Sequence, residues 1–323
     1  MEPWRGPGAS RVDGAMAAMS EAGRFRGLFP IVQTPFTAEG AVDFDSLRRL
    51  VRHVCGRAEG LTFPGFASEF WRLTEEEILA CAEVIVEAAS ADCRTILNVT
   101  AQATQPAVER VRVFEQLGAQ ALMVLGPFSV AAPAGATEEH FSAVLGATEL
   151  PVIVQDSAGL TGTTLDPAML GRLRMRHGNL AGLKVDQVPT GPTISRYREN
   201  EELAGLSYLV GYSGVQMLVG VRRGAEGLMG GCGHLEFDRR MVEGLLGGGR
   251  YEEFARMSAL LNFEMQTLEM VIAVHKQMLY EAGVIATPLS RKPCRGLDAV
   301  HTEELRLHLG ALEPVVGIEP TTI

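Results

Sequence analysis

Beyond residue 26 the chain alternates short apolar runs with longer stretches in which apolar residues return every three or four positions. A run of four to six apolar residues between turn formers is the pattern of a strand buried on both faces. The three-to-four spacing is that of a helix packed along one side. The runs predict strands over 28–32, 60–63, 95–98, 121–125, 152–155, 180–184, 207–210 and 227–229. Helices are predicted over 45–58, 106–117, 137–146, 167–175, 192–200 and 215–223, with another starting near Phe237. Leu47, Leu50, Val51 and Val54 show the periodicity, and Thr74 with Glu77 three residues on forms a capping-box signature. Pro106, Pro167 and Pro192 suit a first helical turn, where a missing N–H costs nothing.

Strands alternating with helices imply parallel strands joined by crossovers, and eight units imply closure into a (β/α)8 TIM barrel over 25–245. An open doubly wound sheet is the alternative. No GxGxxG follows the first strand and no GxxxxGK[ST] occurs, so its nucleotide-binding forms lose support. Residues 246–318 read as additional C-terminal helices, over 264–273 and 276–282, with Gly283 as a stop. They are available to cover a barrel face or build a subunit contact. Residues 1–24 are Gly-rich and lack the apolar core of a signal peptide, so a flexible extension is expected there.

A formal net charge of -10 disfavours nucleic acid and anionic membrane surfaces as partners. It does not disfavour a small anionic substrate, because one buried cation can dominate a local site. No apolar stretch reaches the roughly 20 residues of a membrane span. Five cysteines with no CxxC pair argue against a disulfide framework and for a reducing, cytoplasmic setting. Cys232, among glycines, reads as a small buried residue, with a nucleophile as the lesser alternative. The seven histidines show no HExxH spacing, so each is expected at the surface or in the core, and no metal is expected.

Active sites of such barrels lie at the C-terminal ends of the strands. The predicted strands run there into Gln33–Thr34–Pro35, into 65–69, and into Asn98 and Gly126–Pro127–Phe128. The later ones run into Gln155–Asp156, Lys184–Val185–Asp186 and Gly211–Tyr212–Ser213. Lys184 closes a run that holds no other charge. A lysine turned into a barrel loses hydration, which favours the neutral amine, and a neutral amine attacks a ketone to form an imine. Position alone leaves open a lysine that reaches solvent or pairs with Asp186. Glu69, Asp156 and Asp186 are the carboxylates placed to assist proton transfer.

These residues together resemble the dihydrodipicolinate synthase / N-acetylneuraminate lyase family. The resemblance spans about 27–312. It rests on the opening 27–36, on Gly40 and Asp43, on Gly65, Glu69 and the run 73–77, and on Gly182–Leu183–Lys184, where that family keeps its Schiff-base lysine. It implies a barrel with C-terminal helices, a homotetramer or dimer, and no cofactor beyond a covalent imine at Lys184. Departures are informative. Phe66 and Ala67 stand where the family has carboxylate-binding Thr/Ser residues, and Ser68 replaces a glycine. Gln155 replaces the catalytic tyrosine, Ser129 the second tyrosine, and Leu160 an arginine for a second carboxylate. The chain is closer to the branch of L-2-keto-3-deoxyarabonate dehydratases. That branch keeps a glutamine at the tyrosine position and an acid two residues after the lysine, here Gln155 and Asp186. The segments 283–285 and 291–293 are similar to that branch as well.

The resemblance implies a Schiff-base lyase acting on a small 2-keto acid, foremost the dehydration of a 2-keto-3-deoxy sugar acid. Lys184 forms the imine, Asp186 is the base at C3, and Gln155 orients the substrate. Ser68 and nearby groups of Ala67 and Phe66 hold the carboxylate, beside Thr34. Gly211 and Ser213 line the opposite side. Glu69 lies either against substrate or beneath its loop as a support. The alternatives are an aldolase using the same lysine, or a catalytically altered barrel that serves in specialised biosynthesis or as a binding protein.

Overall fold

The structure, a computed structural model, describes residues 23–130 and 132–312. The expected N-terminal extension, apart from its last two residues, and the C-terminal residues 313–318 lie outside them. Eight parallel strands form one sheet: β1 (Gly27–Leu28), β2 (Gly60–Phe63), β3 (Arg94–Asn98), β4 (Ala121–Leu125), β5 (Val152–Asp156), β6 (Leu180–Val185), β7 (Ser207–Val210) and β8 (Gly227–Leu228). Neighbours run in sequence order from β2 to β8, and β8 pairs with β1. The ring closes just past β1. There Val32 N–H donates to the Thr62 carbonyl at 3.0 Å and Ile31 bridges both Thr62 and Gly231. The chain is a (β/α)8 barrel.

The helices between strands are α1 (Phe44–Cys55), α2 (Glu75–Ala88), α3 (Thr104–Leu117), α4 (Ala134–Leu145), the single turn α5 (Ala158–Thr161), α6 (Pro167–Arg176), α7 (Thr190–Arg198) and α8 (Met217–Val221). After β8 come α9 (Leu235–Leu246), α10 (Glu252–Glu264), α11 (Leu268–Glu281) and α12 (Ala299–Leu312). The Thr74–Glu77 capping box forms at the start of α2. No helix of the described residues is long and apolar enough to cross a membrane.

Two sequence expectations are corrected. The first strand does not extend to Val32 as a continuous ladder, because Pro30 has no N–H to give. The segments 264–273 and 276–282 are not two helices. Glu264 ends α10, Thr267 caps α11 by accepting from Met270 N–H at 3.1 Å, and nothing between Ala273 and Lys276 interrupts α11.

Side chains alternate along the strands between the barrel interior and the helix layer, with a register shift on β6 between Leu180 and Gly182 that places Ala181 inside and Leu183 outside. Ile96, Ala121, Met123, Ile153, Ala181, Leu209 and Met229 form the inner cluster. Leu97, Leu122, Val124, Val154, Leu183, Val185 and Val210 belong to the outer one. Thr62 and Ser207 also turn inward lower in the barrel, Ser207 accepting from the Phe25 N–H at 2.9 Å, while Gln155 and Lys184 enter at the C-terminal ends of β5 and β6.

Candidate active site

The alternation fixes which strand-end residues face inward. On β5, Val154 packs outward, so Gln155 turns in and Asp156 turns out. On β6, Leu183 and Val185 pack outward, so Lys184 turns in, and Gln155 and Lys184 are direct register partners. Asp186, two residues on, stays on the same side. Lys184 Nζ lies 3.3 Å from Asp186 Oδ2. Gln155 Nε2 donates to the same oxygen at 2.5 Å, and the Tyr212 N–H donates to Asp186 Oδ1 at 2.9 Å. An amine, a carboxylate and an amide thus share one wall. Lys184 is 5 % exposed and does not reach into solvent.

The β7 end completes this wall. Gly211 N–H donates to the Val185 carbonyl at 2.9 Å, and the Gly211 carbonyl accepts from Gly214 N–H at 2.9 Å. A Cβ on Gly211 would collide with the Asp186 carboxylate and stand 3.1 Å from Lys184 Cε. Glycine is therefore what lets β7 approach the pair. Tyr212 and Ser213 both hold φ near 49°, a left-handed turn that aims the Tyr212 N–H at Asp186. The Tyr212 backbone donor has no sequence signal, since any residue supplies an N–H.

Across the ring from β6, the segment after β2 makes a tight turn at 66–68. Ser68 is fully buried; its hydroxyl donates to the Val32 carbonyl at 2.5 Å and accepts from Gly65 N–H at 3.0 Å. Its single proton is committed to the loop, which bears against the Ser68 side chain as a carboxylate donor. Thr34 is fully buried too, and its hydroxyl donates to the Ser68 carbonyl at 2.8 Å. Both hydroxyls shape the loop. The N–H groups of Phe66 and Ala67 open the turn, and among the described residues no backbone acceptor faces them.

Glu69 follows with φ 59° and no exposure. Its carboxylate meets Lys276 Nζ, Arg72 Nη1 at 2.9 Å and Arg291 N–H at 3.1 Å. It turns away from the barrel mouth and anchors the loop to the C-terminal helices. Of the two readings of Glu69, the geometry is that of a support. Lys276 also donates to the Leu289 carbonyl at 2.9 Å and packs 4.3 Å over the Phe36 ring. Burial lowers its pKa to about 8, against the pull of Glu69 in the opposite direction.

Asp156 faces the helix layer, where Tyr197 hydroxyl donates to it at 2.6 Å, so it is not a group of the barrel mouth. Burial raises its pKa. Cys232 donates its thiol to Gln33 Oε1 at 2.5 Å, and burial pushes the thiol up to about 12. It is a small core residue rather than a nucleophile.

The histidines hold a feature that their spacing did not reveal. His234 at the head of α9, Asp238 in α9, Glu264 in α10 and His275 in α11 meet in a buried cluster. His234 Nδ1 is 2.9 Å from Asp238 and its Nε2 is 3.1 Å from Glu264. Nε2 hydrogen-bonds Glu264, and the Asp238 carboxylate adds a second negative charge beside the ring. Burial alone would depress its pKa, but the two carboxylates outweigh that and hold it well above 6.5. Burial likewise opposes ionisation of Glu264, yet His234 and His275 pull its pKa far down.

The ligand atoms of His234, Glu264 and His275 lie within 4.8 Å of one another, close enough for a metal. The tautomer of His275 argues against one. Gly233 N–H donates to its Nδ1 at 2.6 Å, so a neutral ring carries its proton on Nε2, the atom a metal would need. The cluster reads as proton-sharing ion pairs that clamp the loop after β8 to α10 and α11.

A family model for the dihydrodipicolinate synthetase family matches residues 24–312. The chain belongs to that family. It is similar to L-2-keto-3-deoxyarabonate dehydratase of Azospirillum brasilense, at 28% identity over 92% of this chain and 97% of the relative. It is also 32% identical to 4-hydroxy-tetrahydrodipicolinate synthase 1 of Streptomyces coelicolor, over 55% of this chain and 57% of that one. The chain thus spans little more than half the length of that synthase. In three dimensions it superposes on dihydrodipicolinate synthase from Rhodopseudomonas palustris with a TM-score of 0.83. That likeness covers 90% of this chain and 98% of the other at 24% identity, and it bears on the fold.

Proposed function

We propose that this member of the dihydrodipicolinate synthetase family is a Schiff-base lyase that removes water from a 2-keto acid carrying a hydroxyl at C4. The carrying observation is the inward-facing Lys184, 3.3 Å from a carboxylate that Gln155 and the Tyr212 N–H hold in place. Similarity to a dehydratase over nearly the whole of both chains supports the same reading.

The Lys184 amine adds to the C2 ketone, and loss of that oxygen as water leaves an iminium. The positive nitrogen withdraws electrons from C2 and acidifies C3–H. Asp186 takes a C3 proton, giving the enamine. The enamine pushes out the C4 hydroxyl, which leaves as water with the proton that Asp186 now carries. Hydrolysis of the remaining iminium frees product and restores Lys184. Gln155 has no proton to exchange near neutral pH; its part is to fix the Asp186 rotamer and to line the pocket. The Phe66 and Ala67 N–H groups hold the C1 carboxylate, with Ser68, Thr34 and Glu69 fixing their loop from behind. Ser213 lies beside Gly211 on the far wall.

Incubation with a 2-keto-3-deoxy sugar acid and mass analysis of the products tests the reaction type. The expected product is lighter than substrate by one water. Pyruvate plus an aldehyde would instead establish carbon–carbon cleavage through the same imine. Gly211→Ala is expected to lower kcat/KM by about 10²-fold, the scale of an ångström-sized displacement of a reacting group. Circular dichroism should show the fold retained. An unchanged kcat/KM would mean that Asp186 need not stay where Gly211 allows it.

A further inference from the structure

The eight segments that follow the strands are 29–43, 64–74, 99–103, 126–133, 157–166, 186–189, 211–216 and 229–234. Together they contain one arginine, Arg72, and no lysine. Arg72 is spent: it binds Glu69 at 2.9 Å, Glu269 at 2.8 Å and the Pro293 carbonyl at 2.9 Å; the charge on His234, the histidine of these segments, is buried against Asp238 and Glu264. Lys184 is thus the cation that these strands and their loops turn into the barrel mouth. One carboxylate of a substrate has backbone donors at 66–67, and a second would find no cation on the loops.

The same segments are rich in apolar surface. Phe66, Phe70, Trp71 and Phe128 form one continuous set of rings. Phe66–Phe70 and Phe70–Phe128 centroids are each 5.4 Å apart, and Phe70–Trp71 centroids are 5.7 Å apart. This set starts at the N–H groups proposed for the C1 carboxylate and crosses from the loop after β2 to the loop after β4. Phe66 and Phe128 are half-buried and Trp71 is exposed, so the wall keeps a face open. Further exposed apolar residues stand on the loops after β4, β5, β6 and β7: Val130 at 80 % exposure, Leu160 at 53 %, Val188 and Tyr212. Large apolar side chains left in water on five loops around one mouth mark a surface for an apolar group.

Resting on the Schiff-base reading, we infer that the substrate is a monocarboxylate whose end beyond C4 is apolar, an aryl or bulky alkyl group rather than a polyol or a second carboxylate. The ring set packs that group edge-on, as aromatic pairs prefer. The chemistry is unchanged: a C3 proton and the C4 hydroxyl leave as water, and no oxidant or reductant is involved. For an aryl substrate the product is a conjugated 4-aryl-2-oxo-3-enoate with strong near-ultraviolet absorbance.

The test compares three 4-hydroxy-2-oxo acids that share C1 to C4 and carry phenyl, hydroxymethyl or carboxylate on C4. Turnover is followed by product mass, so water loss and carbon–carbon cleavage are both read. Borohydride capture of pyruvate on the same protein is run alongside. The phenyl compound is expected to exceed the hydroxymethyl one in kcat/KM by about tenfold or more, and the carboxylate one by about a hundredfold. Trp71→Ala should shrink the phenyl-to-hydroxymethyl ratio about fivefold or more. Equal rates, or preference for hydroxymethyl or carboxylate, in a protein that captures pyruvate at Lys184 overturn the apolar-substrate inference alone. That result would leave the rim to a second copy of the chain or another protein. Absence of any captured adduct overturns this inference together with the Schiff-base reading on which it rests.

Discussion

Asp186→Asn is expected to lower turnover about 10²- to 10⁴-fold, the range for loss of a positioned general base, while borohydride capture at Lys184 persists. The substitution keeps the shape of the side chain, and its carbonyl oxygen can still accept the Tyr212 N–H that now reaches Asp186 at 2.9 Å. What it removes is the ability to accept a proton from C3 and return it to the departing hydroxyl. Imine formation depends on the amine of Lys184, so capture and turnover should separate. Parallel loss of both would place Asp186 in imine formation instead. Loss of neither would remove it from the chemistry. The combination of trapped adduct and absent product is the signature of a base that acts after the imine.

The second large effect is on stability. His234→Gln is expected to destabilise the fold by about 3–5 kcal/mol, the cost of breaking a buried ion pair from one side. Asp238 and Glu264 are both fully buried; burial raises the Asp238 pKa, the charge on His234 pulls the other way, and that same charge helps hold Glu264 ionised. The pH dependence has a definite sign. His234 is held well above 6.5 by its carboxylate neighbours, so its stabilisation is complete below 6.5 and fades as pH rises through the folded value. Glu264 is held below 4.5, so its stabilisation is complete above 4.5 and fades in acid. Chemical denaturation of wild type and variant between pH 4 and 10 should therefore show the widest gap from about 4.5 to 6.5, narrowing on the alkaline side. A gap that widened with rising pH would mean that His234 is buried neutral.

Much of the barrel is legible because parallel strands buried on both faces leave unbroken apolar runs. The strands over 60–63, 121–125 and 207–210 form with the bounds the sequence predicts. Lys184 is legible for a related reason, being the one charge in such a run. The first strand is shorter than its apolar run because hydrogen bonding, not hydrophobicity, decides where a ladder ends, and Pro30 cannot donate. The α10–α11 junction was misplaced because the cap at Thr267 is a single hydrogen bond inside an otherwise continuous helical pattern.

The site was legible only in part, and the missing parts share a cause. Lys184, Gln155, Asp186 and Gly211 sit at strand ends, where register brings them together. Glu69 meets Lys276 across 207 residues, and His234 meets Glu264 and His275 across 30 and more, with no local pattern to announce either contact. Ser68 and Thr34 looked like substrate ligands from their position, yet their hydroxyls are turned into the loop. A short polar side chain at a strand end serves substrate or scaffold equally well, and only its hydrogen-bond partner separates the two.

Borohydride reduction with pyruvate, followed by intact-mass and peptide analysis of wild type and Lys184→Ala, addresses the imine most directly. The expected result is a reduced pyruvyl adduct on the peptide that carries Lys184 in wild type, and none in the variant. An adduct that survives Lys184→Ala, or well-folded wild-type protein that captures no keto acid, would contradict it.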